Sequence, residues 1–88
     1  MKLLFCKACQ DVFKLNEHPR RCRCQLTYGR YIDDINAEYA GEHAVPIGFA
    51  NASFAHAIIH QPRRASVTGE RFDAFVISEG CATFKKED

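Results

Sequence analysis

The chain predicts an α+β protein, with antiparallel β hairpins at the amino terminus continuing into a small antiparallel sheet with one short helix packed on it. Three observations lead there. Four cysteines crowd the first 24 residues in two tight pairs. Short runs of β-branched and aromatic residues recur, bounded by Gly, Pro, Asn or Asp. One stretch, residues 51–60, carries apolar positions at helical spacing behind an Asn or Ser cap.

The first residues, Met1-Lys2-Leu3-Leu4-Phe5-Cys6-Lys7, combine a basic residue with an apolar run, as a lipoprotein signal does. The run stops at Lys7, short of the roughly 7–15 residues a signal core needs. No later run approaches the roughly 18 residues of a membrane span. A cytoplasmic, membrane-free protein is expected. Its 88 residues make one domain, a thin one, in which residues 1–33 and 45–85 are continuous parts. With 47 % hydrophobic and 26 % charged residues, disorder, collagen and coiled coil are excluded. Twelve Lys+Arg against eleven Asp+Glu exclude a generally basic nucleic-acid wrapper and an acidic tail protein alike.

The cysteines read Cys6-x2-Cys9, twelve residues, then Cys22-x-Cys24, with Cys81 far downstream. An odd count with four bunched together argues against a disulfide framework and for a metal site in a reducing compartment. Zinc takes four such sulfurs at the corners of a tetrahedron, with Zn–S of about 2.3 Å. A reversing turn between paired cysteines presents both sulfurs to one side. The intervening residues 10–21 are long enough to run out as one strand and return as another, turning at Asn16-Glu17-His18-Pro19. Cys81 reads as a small buried hydrophobe.

Over residues 3–32 this pattern resembles the zinc-ribbon family, two cysteine knuckles at one end of a small antiparallel sheet. The resemblance implies that Cys6, Cys9, Cys22 and Cys24 hold a structural Zn²⁺. Two features depart from the family pattern: Gln10 and Gln25 follow the knuckles where glycine is frequent, and the second pair is C-x-C. The family spans nucleic-acid binding, protein contacts and purely structural roles.

Further along, residues 26–33 are rich in strand formers and predict the last strand of the ribbon, with Gly29 marking a bulge or a close backbone approach. Residues 34–44 are acidic and without period, and read as a loop with a turn of helix near Ala37-Glu38-Tyr39, closed at Gly41. Residues 45–50 predict a strand that Pro46 confines to an edge. Asn51 or Ser53 caps a helix running to His60, with Phe54, Ala55, Ile58 and Ile59 on one arc and Ser53, His56 and His60 on the other. Residues 71–78 form the clearest strand, residues 81–85 return as a hairpin partner, and residues 85–88 fray.

Function is written more faintly. His56 and His60 share a helical face at metal-ligand spacing, but Ala57 stands where a zinc protease needs glutamate, and no third ligand is close in sequence. Arg63-Arg64-Ala65-Ser66 matches a short kinase consensus that chance supplies often, and Asp33-Asp34 read as surface charge. No catalytic motif is present, and four protein thiolates leave zinc no open position, so no enzyme is expected. The first expectation is a zinc-stapled adaptor that contacts a protein partner through His56, His60, Arg63 and Arg64. The alternative is a nucleic-acid binder using Lys7, Lys14, Arg20, Arg21, Arg23 and Arg30, with Tyr28 and Tyr31 as a stacking platform. The same basic residues also offset the negative charge of four thiolates. A small metal-stapled chain also suits a phage or mobile-element accessory protein.

Overall fold

The computed structural model describes residues 1–64 and 68–87. Among these residues eight strands and one helix follow in the order β1 (Lys2–Cys6), β2 (Val12–Lys14), β3 (Arg20–Arg21), β4 (Tyr28–Tyr31), β5 (Ala37–Ala40), β6 (Ala44–Phe49), α1 (Asn51–Ile59), β7 (Ala74–Val76) and β8 (Phe84–Glu87). They make two four-stranded sheets, ordered β2-β1-β6-β7 and β3-β4-β5-β8. The first is antiparallel throughout; in the second, β5 and β8 run parallel. The architecture is the expected α+β.

The two sheets share one core. Leu4, Cys6, Phe13 and Leu15 from the first meet Cys22, Ala37, Tyr39 and Phe84 from the second. Tyr39 and Phe84 touch edge to face at 5.0 Å between centroids, a geometry that suits the aromatic quadrupole. The close approach expected at Gly29 is present. A Cβ there would lie 2.7 Å from the Glu38 carbonyl oxygen and 2.9 Å from Leu4 Cδ1.

Several sequence expectations are corrected. Residues 34–44 are not a loop: β5 runs through them as an inner strand between β4 and β8, because Ala37, Tyr39 and Ala40 are core residues. Residues 10–21 supply two strands, yet β2 pairs with β1 and β3 with β4, so they are not each other's partners. Pro46 lies in β6, an inner strand. Hydrogen bonds from Phe49 N–H to Met1 and from Lys7 N–H to His43 put the odd-numbered residues of β6 against β1. Pro46 thus turns its missing N–H toward β7, where only its carbonyl is used, by Ile77 N–H at 2.9 Å. The proline removes no bond to β1.

The helix begins at Asn51, but Ala50 is its N-cap and no side chain caps it. Asn51 Oδ1 instead accepts from the Met1 nitrogen, and Ser53 Oγ from Asp73 N–H. Its expected apolar arc is not buried. Ile58 and Ile59 are 58 % and 78 % exposed, and Ala57 is the buried residue. The strand expected over 71–78 is confined to β7, and residues from 84 onward do not return beside it. They cross to the other sheet as β8, so Lys85, Lys86 and Glu87 are paired rather than frayed. Ser66 lies outside the described residues. No helix among the described residues is long and apolar enough to cross a membrane.

Candidate metal centre

Two strand ends build the site. β1 delivers Cys6, after which residues 7–10 reverse the chain and place Cys9; the end of β3 delivers Cys22, and the next turn places Cys24. Gln10 N–H donates to the Cys6 carbonyl at 2.7 Å, and Gln25 N–H to the Cys22 carbonyl at 3.0 Å. Both glutamines adopt positive φ, 62° and 68°. That left-handed residue lets each turn close tightly enough for its two sulfurs to converge.

All four sulfurs lie within 4.8 Å of one another, with Cys6–Cys24 at 3.7 Å and Cys22–Cys24 at 3.4 Å. The edges of a metal–thiolate tetrahedron with 2.3 Å bonds are about 3.8 Å, so the cluster is the size of one tetrahedral ion. Cys6 and Cys22 are buried, Cys9 half-buried and Cys24 exposed. The site therefore sits at the rim of the core, with one corner open to solvent.

The surroundings favour thiolate. Thr27 N–H donates to Cys22 Sγ at 3.4 Å. The Thr27 hydroxyl is buried with no partner of hydrogen-bonding geometry among the described residues. Its nearness is nevertheless the largest influence on the Cys6 thiol, which is held down at about 6 against burial, with the Cys9 and Ala8 backbone assisting. An orphaned donor beside a sulfur fits an anionic acceptor at that corner. At Cys22 burial opposes ionisation, but the Thr27 backbone and the neighbouring sulfurs of Cys24 and Cys9 outweigh it, and the thiol is lowered. Cys24 goes the other way. The Leu26 backbone draws it down, yet burial and the other three sulfurs push it up to about 12. Four sulfurs this close do not all ionise unaided; a divalent cation among them removes the conflict.

A brace joins the two turns. Asp11 Oδ2 accepts from Arg23 N–H at 2.9 Å, and Arg23 Nη2 donates to the Cys9 carbonyl at 3.0 Å. Lys7 N–H donates to the His43 carbonyl at 2.9 Å and anchors the first turn to the start of β6. Sequence reasoning missed Asp11 and Thr27. An acid beside a cluster of anionic sulfurs looks unfavourable in one dimension, and no spacing rule singles out a threonine three residues after Cys24.

The other expected residues are scattered. His56 and His60 stack at 4.1 Å on the exposed end of α1, and His60 Nδ1–H donates to the His56 carbonyl at 2.9 Å. The cysteine quartet is the only group of three or more potential metal ligands among the described residues, so no third ligand joins the histidines. Arg63 and Arg64 are exposed beyond the helix. Among the basic residues, Arg20 donates to the Lys14 carbonyl, Arg21 to the Gln25 carbonyl, and Arg30 pairs with Glu38 at 3.0 Å. Lys7 and Lys14 are exposed. Arg21 lies 4.4 Å from the Tyr28 ring centroid. Tyr28 and Tyr31 are three apart on one strand and project from opposite faces, so they do not form a shared platform. Cys81 is half-buried against the core, with Sγ 3.5 Å from Thr83 Oγ1, away from the quartet.

Comparison with protein-family models, with characterised proteins and with solved structures gives no match to this chain.

Proposed function

We propose that Cys6, Cys9, Cys22 and Cys24 hold a structural zinc ion, and that the protein is a non-enzymatic interaction module whose surface this ion makes rigid. The observation that carries the proposal is the convergence of four sulfurs from two separate turns into a space of tetrahedral size. Bound there, zinc supplies cross-linking: structural sites contribute about 10–16 kcal/mol of apparent binding free energy, more than a thin core provides. The chain's own residues do the rest. Gln10 and Gln25 close the turns, Arg23 and Asp11 tie one to the other, and Thr27 donates its N–H to Cys22 Sγ while its hydroxyl lies buried near Cys6. Four protein sulfurs fill a tetrahedral ion's coordination, which leaves no position for substrate or activated water.

A protein partner is favoured over nucleic acid by how the cations are used. Arg20, Arg21, Arg23 and Arg30 are engaged with backbone carbonyls or Glu38 within the fold, which leaves Lys7 and Lys14 as the least committed of that set. Meanwhile Ile58, Ile59, Phe75 and Val76 are large apolar side chains more than half exposed. Metal analysis of the purified chain tests the first half of the reading, with one zinc per chain expected and a metal-free, chelator-indifferent fold overturning it. Titration with labelled DNA and RNA at two salt concentrations tests the second. Binding that weakens steeply with added salt would replace the protein partner with nucleic acid.

A further inference from the structure

Thr27 immediately precedes β4 and is wholly buried. Its backbone is pinned on two sides. The Thr27 carbonyl accepts from Cys22 N–H at 2.9 Å, while Thr27 N–H donates to Cys22 Sγ at 3.4 Å. On the other side Gly41 packs so closely that a Cβ there would lie 2.4 Å from the Leu26 carbonyl oxygen and 3.2 Å from Thr27 Cα. The side chain is thus held where it stands, yet its hydroxyl has no hydrogen-bond partner among the described residues. A hydroxyl left unmet in a core costs free energy that a valine of the same shape would not. The position is explained if an acceptor forms when the site fills.

The sulfurs are the acceptors at hand, all four within 4.8 Å of one another. Cys22 already takes the Thr27 N–H. Cys24 is exposed and has the Leu26 backbone as its donor. Cys6 is the other buried sulfur, and Thr27 is the strongest influence on its thiol, favouring the ionised form. A metal-bound Cys6 is a thiolate, a better acceptor than the neutral thiol.

We infer that the Thr27 hydroxyl donates to the Cys6 sulfur in the metal-loaded protein, so that Thr27 is a positioning residue of the centre, holding a sulfur of each turn. The inference rests on the reading of the quartet as a metal site. Asp11 and Arg23 tie the two turns together at the exposed rim; Thr27 ties them from the core side. A hydrogen bond to a metal-bound sulfur orients the ligand and withdraws charge from it.

Thr27→Val and Thr27→Ser test this, because the first keeps the shape without the hydroxyl and the second keeps the hydroxyl without the methyl group. Wild-type protein is expected to carry one zinc per chain; a metal-free wild type would overturn both the zinc reading and this inference. Thr27→Val is expected to weaken zinc binding by about tenfold or more in competition with a chromophoric chelator, and Thr27→Ser to stay well within that factor. In the cobalt-substituted chain, loss of the bond raises the energy of the sulfur lone pairs. The sulfur-to-cobalt charge-transfer band of Thr27→Val is therefore expected at longer wavelength, with Thr27→Ser matching the wild type. A purely packing role would not split the two variants in this way. Failure of Thr27→Val to hold metal, with Thr27→Ser still loaded, would also support the assignment. Wild-type affinity with an unmoved cobalt band in Thr27→Val, or equal losses in both variants, would overturn it and leave the zinc centre standing.

Discussion

Gln10 and Gln25 occupy equivalent places in the two cysteine turns and share one backbone conformation, φ 62° and 68°, each donating its N–H to the carbonyl of the first cysteine of its pair. A left-handed conformation costs a non-glycine residue roughly 1–2 kcal/mol. Glycine removes that cost but adds about 0.4–1 kcal/mol of unfolded-state entropy. Gln10→Gly and Gln25→Gly are therefore each expected to stabilise the metal-bound protein by about 0.5–1 kcal/mol, while Gln10→Val destabilises it. Thermal melts of the three variants check this. A lower Tm for both glycine variants would mean that the side chains contribute something the backbone geometry does not reveal.

The brace between Asp11 and Arg23 predicts a loss of metal affinity without a change of ligand. Asp11→Ala leaves the Arg23 N–H without its acceptor and frees one turn from the other. Groups that orient metal ligands typically change affinity by about 10–100-fold when removed. Asp11→Ala is expected within that range in a zinc competition assay. Asp11→Asn keeps an acceptor oxygen and is expected to lose far less.

How much of this was legible in sequence follows from how local each feature is. The cysteine quartet is encoded by two short spacings, and its convergence could be expected before any fold was known. The strand at residues 28–31 and the helix after residue 50 are carried by local composition. β5 was not legible, because its identity as a strand depends on burial of Tyr39 between β4 and β8, and β8 comes from more than forty residues later. Pro46 misled for a different reason. The rule that proline marks an edge strand assumes both sides of a strand need donors, whereas here parity turns the proline toward the short β7 ladder. The helix misled because its apolar arc stays largely in solvent, and periodicity alone does not say whether a face is covered.

Gly29 lies tight against β5 and against Leu4 of the other sheet, so an added methyl group is expected to be costly. In Gly29→Ala the new Cβ would meet the Glu38 carbonyl at 2.7 Å, a backbone atom of the adjacent strand that has little room to move. Leu4 Cδ1, at 2.9 Å, lies fully buried across the core. Overpacking of this kind costs about 1–3 kcal/mol. Denaturant melts of the metal-loaded variant check the value, and a neutral effect would show that the two sheets separate more easily than their shared core implies.

The loop between β4 and β5 carries a pH-dependent contribution. The Asn36 side-chain amide and the backbone N–H groups of Asn36 and Ile35 all donate to Asp33, holding its carboxyl down at about 2. An unfolded aspartate ionises near 3.9. Because the folded value is the lower one, the stabilisation is fully present above about pH 4 and fades as pH falls toward 2. Asp33→Asn is thus expected to lower Tm by the same amount at pH 7 and pH 5. A penalty that already shrinks between those two values would place the ionisation elsewhere.

Metal removal is the most demanding test, because it separates four cysteines from the fifth. Chelation is expected to abolish the cooperative melt, since residues of both turns, Cys6 and Cys22 included, belong to the core itself. Cys6→Ser and Cys22→Ser, at the buried corners, are expected to do the same. Cys24→Ser, at the exposed corner, is expected to keep a weakened site, because solvent can supply the missing ligand there. Cys81 lies outside the four-sulfur group, so Cys81→Ala is expected to leave metal stoichiometry and the tetrahedral thiolate absorption of a cobalt-substituted sample unchanged, at a cost of about 1 kcal/mol of packing. A cobalt spectrum altered by Cys81→Ala but not by Cys24→Ser would reassign the fourth ligand.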